Sequence, residues 1–487
     1  MKNQILELEP KNVWKNFSRL NAVPRPSKKE EKVIQFMVDF GNSLGLETLT
    51  DAVGNVIIRK PATAGMEQRK TVTLQSHLDM VHQKNSETDF DFENTGIQMF
   101  VAGDWVKAKG TTLGADNGMG VAAIMSLLES TEIAHPPLEA LFTIDEETGM
   151  TGAFGLKDGL LQGEILLNLD TEEDDEIDIG CAGGIDVTAT KSYNQTPRIS
   201  GEVGLKITVK GLAGGHSGMD IHKGLGNANK IMNRLLFQGN EYDFRISEIH
   251  GGGLRNAIPR ESECLLNVDE NQLPAFLEKL KTEAQAIKTE LAVVEPKLDI
   301  CFDTVIHPFE KLMELEQQEQ LLKTIYGLHN GVYRMSANME DLVETSNNVA
   351  NVTVANGTIE IGCLTRSSVE SGKMDLANAI KSVFELGGFS VTFSGSYPGW
   401  NPNMDSEILK TVTSVYTTLF DAKPNVVACH AGLECGILGQ NYPGMDMVSF
   451  GPTIKGAHSP DERVSISSVQ KFWKFLLEVL SQIPLRT

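Results

Sequence analysis

Three times in its first 170 residues the chain runs an apolar, β-prone stretch directly into ionisable side chains. Thr71-Val72-Thr73-Leu74-Gln75 leads into Ser76-His77-Leu78-Asp79, and Leu141-Phe142-Thr143-Ile144 leads into Asp145-Glu146-Glu147-Thr148-Gly149. Ile165-Leu166-Leu167-Asn168-Leu169 then ends in Asp170. Strands of this kind separated by helical stretches make an open α/β sheet, and such sheets bind ligands beyond the carboxyl ends of their strands. The pattern therefore constrains the fold and the place of any chemistry together.

Each strand end has its own chemistry. A neutral imidazole is a good metal ligand, and its second ring nitrogen usually donates to a carboxylate that fixes the tautomer. In His77-Leu78-Asp79 the partner is Asp79, holding His77 by a bond or by packing beside it. If the strand through Thr143 continues, Glu146 and Glu147 point to opposite faces, so one can bind a metal while the other accepts a proton from water. A solvated acidic loop is the bland alternative. Between these strands lies Gly110-Thr111-Thr112-Leu113-Gly114-Ala115-Asp116-Asn117-Gly118-Met119-Gly120, feeding an apolar helix from Val121 to Leu128. No Lys-Ser/Thr follows the last glycine, which excludes a phosphate-cradling P-loop. Asp116 either faces a metal while the glycines allow close backbone approach, or simply caps the helix.

Residues 10–50 read as a helical lead-in broken at Pro24, Pro26 and Ser27, and Asn55–Ile58 reads as a strand. After Asp170 the acids through Asp174, Asp175 and Glu176 are expected in a solvated loop, with Asp170 alone inside the site. The texture changes near residue 186. Gly204–Lys210 alternates like a half-exposed strand, and Gly214-Gly215-His216-Ser217-Gly218-Met219-Asp220-Ile221-His222 and Gly251–Pro259 follow, without the strand-then-carboxylate pattern. The first texture returns after Tyr397-Pro398-Gly399-Trp400, with a helix over 406–420, His430-Ala431-Gly432-Leu433-Glu434, and a strand over 445–450 that opens into Gly456-Ala457-His458-Ser459. Residues 1–186 and 396–487 are thus expected to form one discontinuous domain, with 187–395 inserted as a second.

At 487 residues the chain has length for two or more cores. A formal net charge of −22 repels nucleic acid and anionic membrane surfaces. The amino-terminal residues lack the apolar core of a signal peptide, and no apolar run has membrane-spanning length. Six scattered cysteines with no Cys-x-x-Cys pair suit a reducing cytoplasm.

Ser-His77-Leu-Asp79, Gly-Ala-Asp116-Asn117-Gly, Asp-Glu146-Glu147-Thr-Gly, Asn-Leu-Asp170, Gly-Gly-His216-Ser-Gly and Ala-His458-Ser-Pro occur in the order of the M20 metallopeptidases, and the chain resembles that family over most of its length. The resemblance implies an α/β fold: a di-metal catalytic domain with an open mixed sheet flanked by helices, plus an inserted α+β lid domain. It implies two divalent ions, zinc by preference with cobalt or manganese as alternatives. Asp116 would bridge them, His77 and Asp170 would complete one site, and Glu147 and His458 the other. Glu146 would be the general base, Asp79 the partner of His77, and His216 the lid residue that stabilises the oxyanion.

The fuller wording, including Gly-His-Ser-Gly-Met-Asp-Ile-His and His-Ala-Gly-Leu-Glu-Cys-Gly, is similar to the family's dipeptidases. Hydrolysis of unblocked dipeptides, including those ending in histidine, is the implied activity, through a water shared by the metals and activated by Glu146. N-acyl-amino-acid deacylation and aminotripeptidase activity are the alternatives. Arg366 is expected on the substrate carboxylate, Asn256 on its carbonyl and Glu434 on its amino group. His82, His222 and His430 receive no role beyond packing. In relatives the histidine equivalent to His216 comes from the same chain or from a second subunit, so a homodimer stays open beside a monomer.

Overall fold

A computed structural model describes residues 2–486. Internal contacts divide the chain into two compact units, one made of Met1–Gly180, Pro402–Ala428 and Leu433–Thr487, the other of Cys181–Asn401 and Cys429–Gly432.

The first unit is built on an eight-stranded mixed sheet. Its order is Glu47–Thr50, Val56–Lys60, Leu138–Thr143, Val72–His77, Ile165–Asn168, Asp446–Ser449, Glu176–Cys181, Asn425–Cys429. The central pairs are parallel: Val72–His77 lies between Leu138–Thr143 and Ile165–Asn168, and Asp446–Ser449 pairs with Ile165–Asn168. Every residue of the strands Val72–His77, Leu138–Thr143 and Ile165–Asn168 is buried. Strands buried on both faces are rich in apolar and β-prone residues, which explains their texture in the sequence. The helix Ala115–Glu129 packs on the strand Val72–His77 and against the helix Lys11–Leu20. It is apolar almost all round, as a helix enclosed on every side must be. Gly120 lets it approach: a Cβ there would lie 2.4 Å from Ser76 Oγ and 2.8 Å from the Leu169 carbonyl oxygen.

A small four-stranded sheet joins Ile454–Lys455, Arg463–Ser465, Trp105–Ala108 and Met99–Ala102. It anchors both ends of the loop that carries His458 and Glu462. Ser465 caps the closing helix Ile466–Ser481 through the Ser468 N–H, and Phe472, Phe475 and Leu476 of that helix are buried.

The second unit is a nine-stranded antiparallel sheet. Its order is Asp299–Val305, Glu202–Lys210, Ser262–Asp269, Phe244–Gly252, Val343–Ala355, Thr358–Ser367, Gly183–Ser192, Ser390–Tyr397, with Gly331–Met335 also on Val343–Ala355. The helices Ala228–Gln238, Leu273–Glu290, Leu315–Gly327 and Glu370–Leu386 share one core with it, through Leu235, Phe276, Leu322 and Phe384 among others. This is an α+β arrangement, its strands turning back as antiparallel neighbours.

Candidate metal centre

Beyond the carboxyl ends of the parallel strands, the first unit brings five side chains together around Asp116. Asp116 Oδ1 lies 3.2 Å from His77 Nε2, and Asp116 Oδ2 lies 3.2 Å from His458 Nε2. His77 Nε2 is also 3.5 Å from Asp170 Oδ1, and His458 Nε2 is 3.0 Å from Glu147 Oε2. Ligand-type atoms within 4.8 Å of one another include the set His77, Asp116 and Asp170 and the set Asp116, Glu147 and His458, which have Asp116 in common; His77, Glu146 and Glu147 form a further set.

The donor chemistry fits two divalent cations. Three carboxylates and two imidazoles converge without a thiolate, an oxygen and nitrogen set suited to zinc, cobalt or manganese. Glu147 Oε1 and Asp170 Oδ1 are buried and have no hydrogen-bond partner among the described residues, which is costly for a carboxylate unless a cation faces it.

Supporting contacts fix these side chains. Asp79 does more than pack beside His77: its Oδ1 is 3.3 Å, and its carbonyl oxygen 3.2 Å, from His77 Nδ1. A proton on Nδ1 leaves the Nε2 lone pair facing the carboxylates. The Asp79 carboxylate also accepts the Glu146 and Glu147 N–H groups and the Ser27 hydroxyl. Asn117 Nδ2 donates to the Leu169 carbonyl at 2.6 Å, tying the Asp116 helix to the turn that presents Asp170.

The separation of Glu146 and Glu147 has a different origin from strand alternation. The strand ends at Thr143, Asp145 adopts φ 52°, and Glu146–Gly149 forms a helical turn. Successive helical residues diverge by about 100°. Glu147 reaches His458 while Glu146 stays within the group formed with His77. Burial first, then Asp170, Glu434 and Glu147, push the Glu146 carboxyl well above its usual range, with His77 opposing.

The acidic run after Asp170 is a loop through Asp175, and Asp175 is exposed as expected, but Glu172–Asp174 are half-buried. Burial and the charges of Asp116 and Asp170 push the Glu172 carboxyl up to about 8. Asp174 pairs with Lys471 at 2.7 Å, and Glu176 opens the strand Glu176–Cys181. Helices and strands elsewhere in the unit return to cover this segment, which no local pattern announces.

Two further residues clamp the Asp116 loop. The buried Glu462 carboxylate accepts the N–H groups of Leu113, Gly114 and Ala115 at 2.7–2.9 Å, and that of Asp116 at 3.3 Å. The buried Arg25 guanidinium donates to the carbonyls of Leu78, Asp79 and Gly114. It holds the turns after His77 and before Asp116 from one point. Sequence reading passes over both, since Arg25 sits between two prolines and Glu462 in a polar loop. Glu462→Ala removes the acceptor of these N–H groups and a negative charge facing Arg25. We expect a loss of about 3 kcal/mol or more, seen as an earlier thermal unfolding transition.

The remaining expected residues are distributed between the units. Glu434, at the start of the helix Glu434–Asn441 in the first unit, is buried and accepts from Gln75 and Thr143. In the second unit, His216 Nδ1 accepts the N–H groups of Gly218 and Met219 at 3.2 and 3.0 Å. Neutral His216 therefore keeps its only proton on Nε2. Asn256 is exposed, and its carbonyl accepts the Ser217 N–H. Arg366 does not follow a strand on the surface. It lies within Thr358–Ser367, is buried, and donates to the Tyr397 hydroxyl at 2.7 Å, with its Nε unpartnered among the described residues. His430 Nε2 is 2.8 Å from Ser346 Oγ, and His82 packs edge-on against Phe92.

The model of peptidase family M20/M25/M40 matches residues 73–482, and the chain belongs to that family. It is 44% identical to the cytosol non-specific dipeptidase of Escherichia coli over 483 residues, 99% of each chain. Among solved structures, aminoacylhistidine dipeptidase from Vibrio alginolyticus superposes with a TM-score of 0.94 at 44% identity, covering all of both chains. Aminopeptidase PepT from Bacillus cereus shares the fold at 15% identity, with a TM-score of 0.57 over 98% of this chain and 99% of that one. No helix among the described residues is long and apolar enough to cross a membrane.

Proposed function

We propose that this protein is a metal-dependent dipeptidase that hydrolyses unblocked dipeptides, including those ending in histidine. The observation that carries the reading is Asp116 placed between two sets of ligand-type atoms, in a chain 44% identical over its full length to a cytosol non-specific dipeptidase. Asp116 and the four residues around it would hold two divalent ions, zinc by preference. Bound there, the ions would polarise the scissile carbonyl and lower the proton affinity of a water held between them.

The chain's own groups supply the rest. Glu146 takes the proton of the attacking water and passes it to the leaving amine. Asp79 holds the His77 tautomer and the backbone of both glutamates. Nε2–H of neutral His216 donates to the developing oxyanion, a task its backbone-fixed tautomer suits. The inserted domain, expected over 187–395 and matched by the unit Cys181–Asn401 with Cys429–Gly432, acts as the lid that carries His216, while the other unit carries the metals. At the substrate ends, the Arg366 guanidinium meets the carboxylate, Asn256 the carbonyl, and Glu434 the free ammonium. The name of the Escherichia coli relative supports a cytoplasmic location.

His216→Ala is expected to lower kcat by about 10²–10³-fold, the cost of one oxyanion donor, while metal content stays unchanged. Steady-state kinetics beside metal analysis checks this. The substrate class is tested with zinc-loaded protein on carnosine, ordinary dipeptides, a tripeptide and an N-acetyl amino acid. Cleavage confined to unblocked dipeptides is the expected result. Turnover of the acetylated compound would make the protein an N-acyl-amino-acid deacylase, and preference for the tripeptide an aminotripeptidase, with the same metal chemistry.

A further inference from the structure

Two residues before His77 and before Asp170, a line of buried polar side chains crosses the sheet. Gln75, Asn168, Ser449 and Asp178 are register partners on four neighbouring strands. All four are at most 8% exposed. They are linked end to end. Thr171 Oγ1 is 2.7 Å from Asp178 Oδ2 and 2.8 Å from Ser449 Oγ. Ser449 donates to Asn168 Oδ1, and Asn168 Nδ2 donates to Gln75 Oε1. Gln75 Nε2 then donates to Glu434 Oε2 at 2.6 Å, and the Thr143 hydroxyl donates to the same oxygen at 2.7 Å.

Counting protons along this chain shows that one of its end carboxyls must carry a proton. Each hydroxyl has one proton to donate. Ser449 gives its proton to Asn168, so it must accept from Thr171. Thr171 then has none left for Asp178, and their contact needs a proton that belongs to Asp178. If Asp178 and Glu434 were both ionised, two acceptors would face each other somewhere along the line, at the full desolvation cost of unpaired buried groups. The alternative assignment flips both amides, reverses every link and puts the proton on Glu434. Either way, two buried carboxyls share one proton.

The surroundings choose the end. Glu434 Oε2 takes two donors, Gln75 Nε2 and the Thr143 hydroxyl. Among the described residues the Asp178 carboxyl has only the Thr171 hydroxyl as a hydrogen-bond partner. Burial raises both carboxyls to about 7, so the number of donors decides between them. Glu434 Oε1 remains buried without a hydrogen-bond partner among the described residues, ready for a ligand donor.

We propose that Asp178 is a neutral carboxylic acid and a positioning residue, which through Thr171, Ser449, Asn168 and Gln75 fixes Glu434 as the carboxylate that receives the substrate's free amino group. The last clause rests on the dipeptidase reading above. The position of the proton does not.

The test uses metal-loaded protein with carbon-13 in its aspartate side-chain carboxyls. The infrared difference between wild type and Asp178→Asn at neutral pH should show the loss of one isotope-shifted protonated-acid band. Loss of a carboxylate band instead overturns the proposal. In kinetics, Asp178→Asn retains a donor to Thr171 and should keep KM for an unblocked dipeptide within about twofold, whereas Asp178→Leu should raise it about tenfold with kcat little changed. An unchanged KM in Asp178→Leu, beside a raised KM in Glu434→Gln, overturns the positioning role. An unchanged KM in Glu434→Gln overturns the amino-group reading, and the infrared band still decides where the proton lies.

Discussion

Glu146→Gln is expected to lower kcat for a dipeptide by about 10²–10⁴-fold, the contribution of a positioned general base, and to leave the metal content at its wild-type value. The substitution keeps the shape of the side chain and removes its proton affinity. It also spares every contact that holds the centre together: the bonds from Asp79 to this turn go to backbone N–H groups, and Glu147 makes the contact with His458. KM should change little, because the lost interaction belongs to the transition state. Metal analysis of the purified variant beside single-turnover kinetics measures both halves of the expectation. Full activity in Glu146→Gln would remove it from the mechanism.

Asp116→Ala should do the opposite, abolishing metal binding and activity together. Asp116 Oδ1 faces His77 and Oδ2 faces His458, so one side chain serves both sets of ligand atoms. We expect a loss of about 10³-fold or more in kcat/KM, several kcal/mol of lost charge stabilisation. His458→Ala is the comparison, since His458 belongs to one set only. Metal titration should find both ions released at low chelator concentration from Asp116→Ala, and one retained by His458→Ala. Equal behaviour of the two variants would show that Asp116 does not bridge.

The sequence reveals those parts of the molecule that local chemistry dictates. Val72–His77, Leu138–Thr143 and Ile165–Asn168 announce themselves because strands buried on both faces are rich in apolar and β-prone residues, and the ionisable residues at their ends stand out by contrast. Residues brought together by long-range pairing leave no such mark. Arg25 is buried beneath turns more than 50 residues away in the chain, and its flanking prolines suggest only a broken helix. The helical turn at Glu146 is set by the backbone of Asp145 in a left-handed conformation, a choice propensity alone would not favour at an aspartate. Arg366 looks like a surface cation after a strand because burial of a charge depends on partners such as Tyr397, 31 residues on.

The Glu462 clamp has a consequence for how the protein is made. Its carboxylate closes on Leu113–Asp116 across up to 349 positions of sequence, with the whole second unit threaded between them. Domains generally fold as units from the amino terminus during synthesis. Here the amino-terminal half of the first unit must wait, with the N–H groups of its central loop unclaimed, until the ribosome has passed the insertion and delivered Glu462 and His458. In the proposed reading, a growing chain therefore has no assembled metal centre until the segment with His458 and Glu462 has been made.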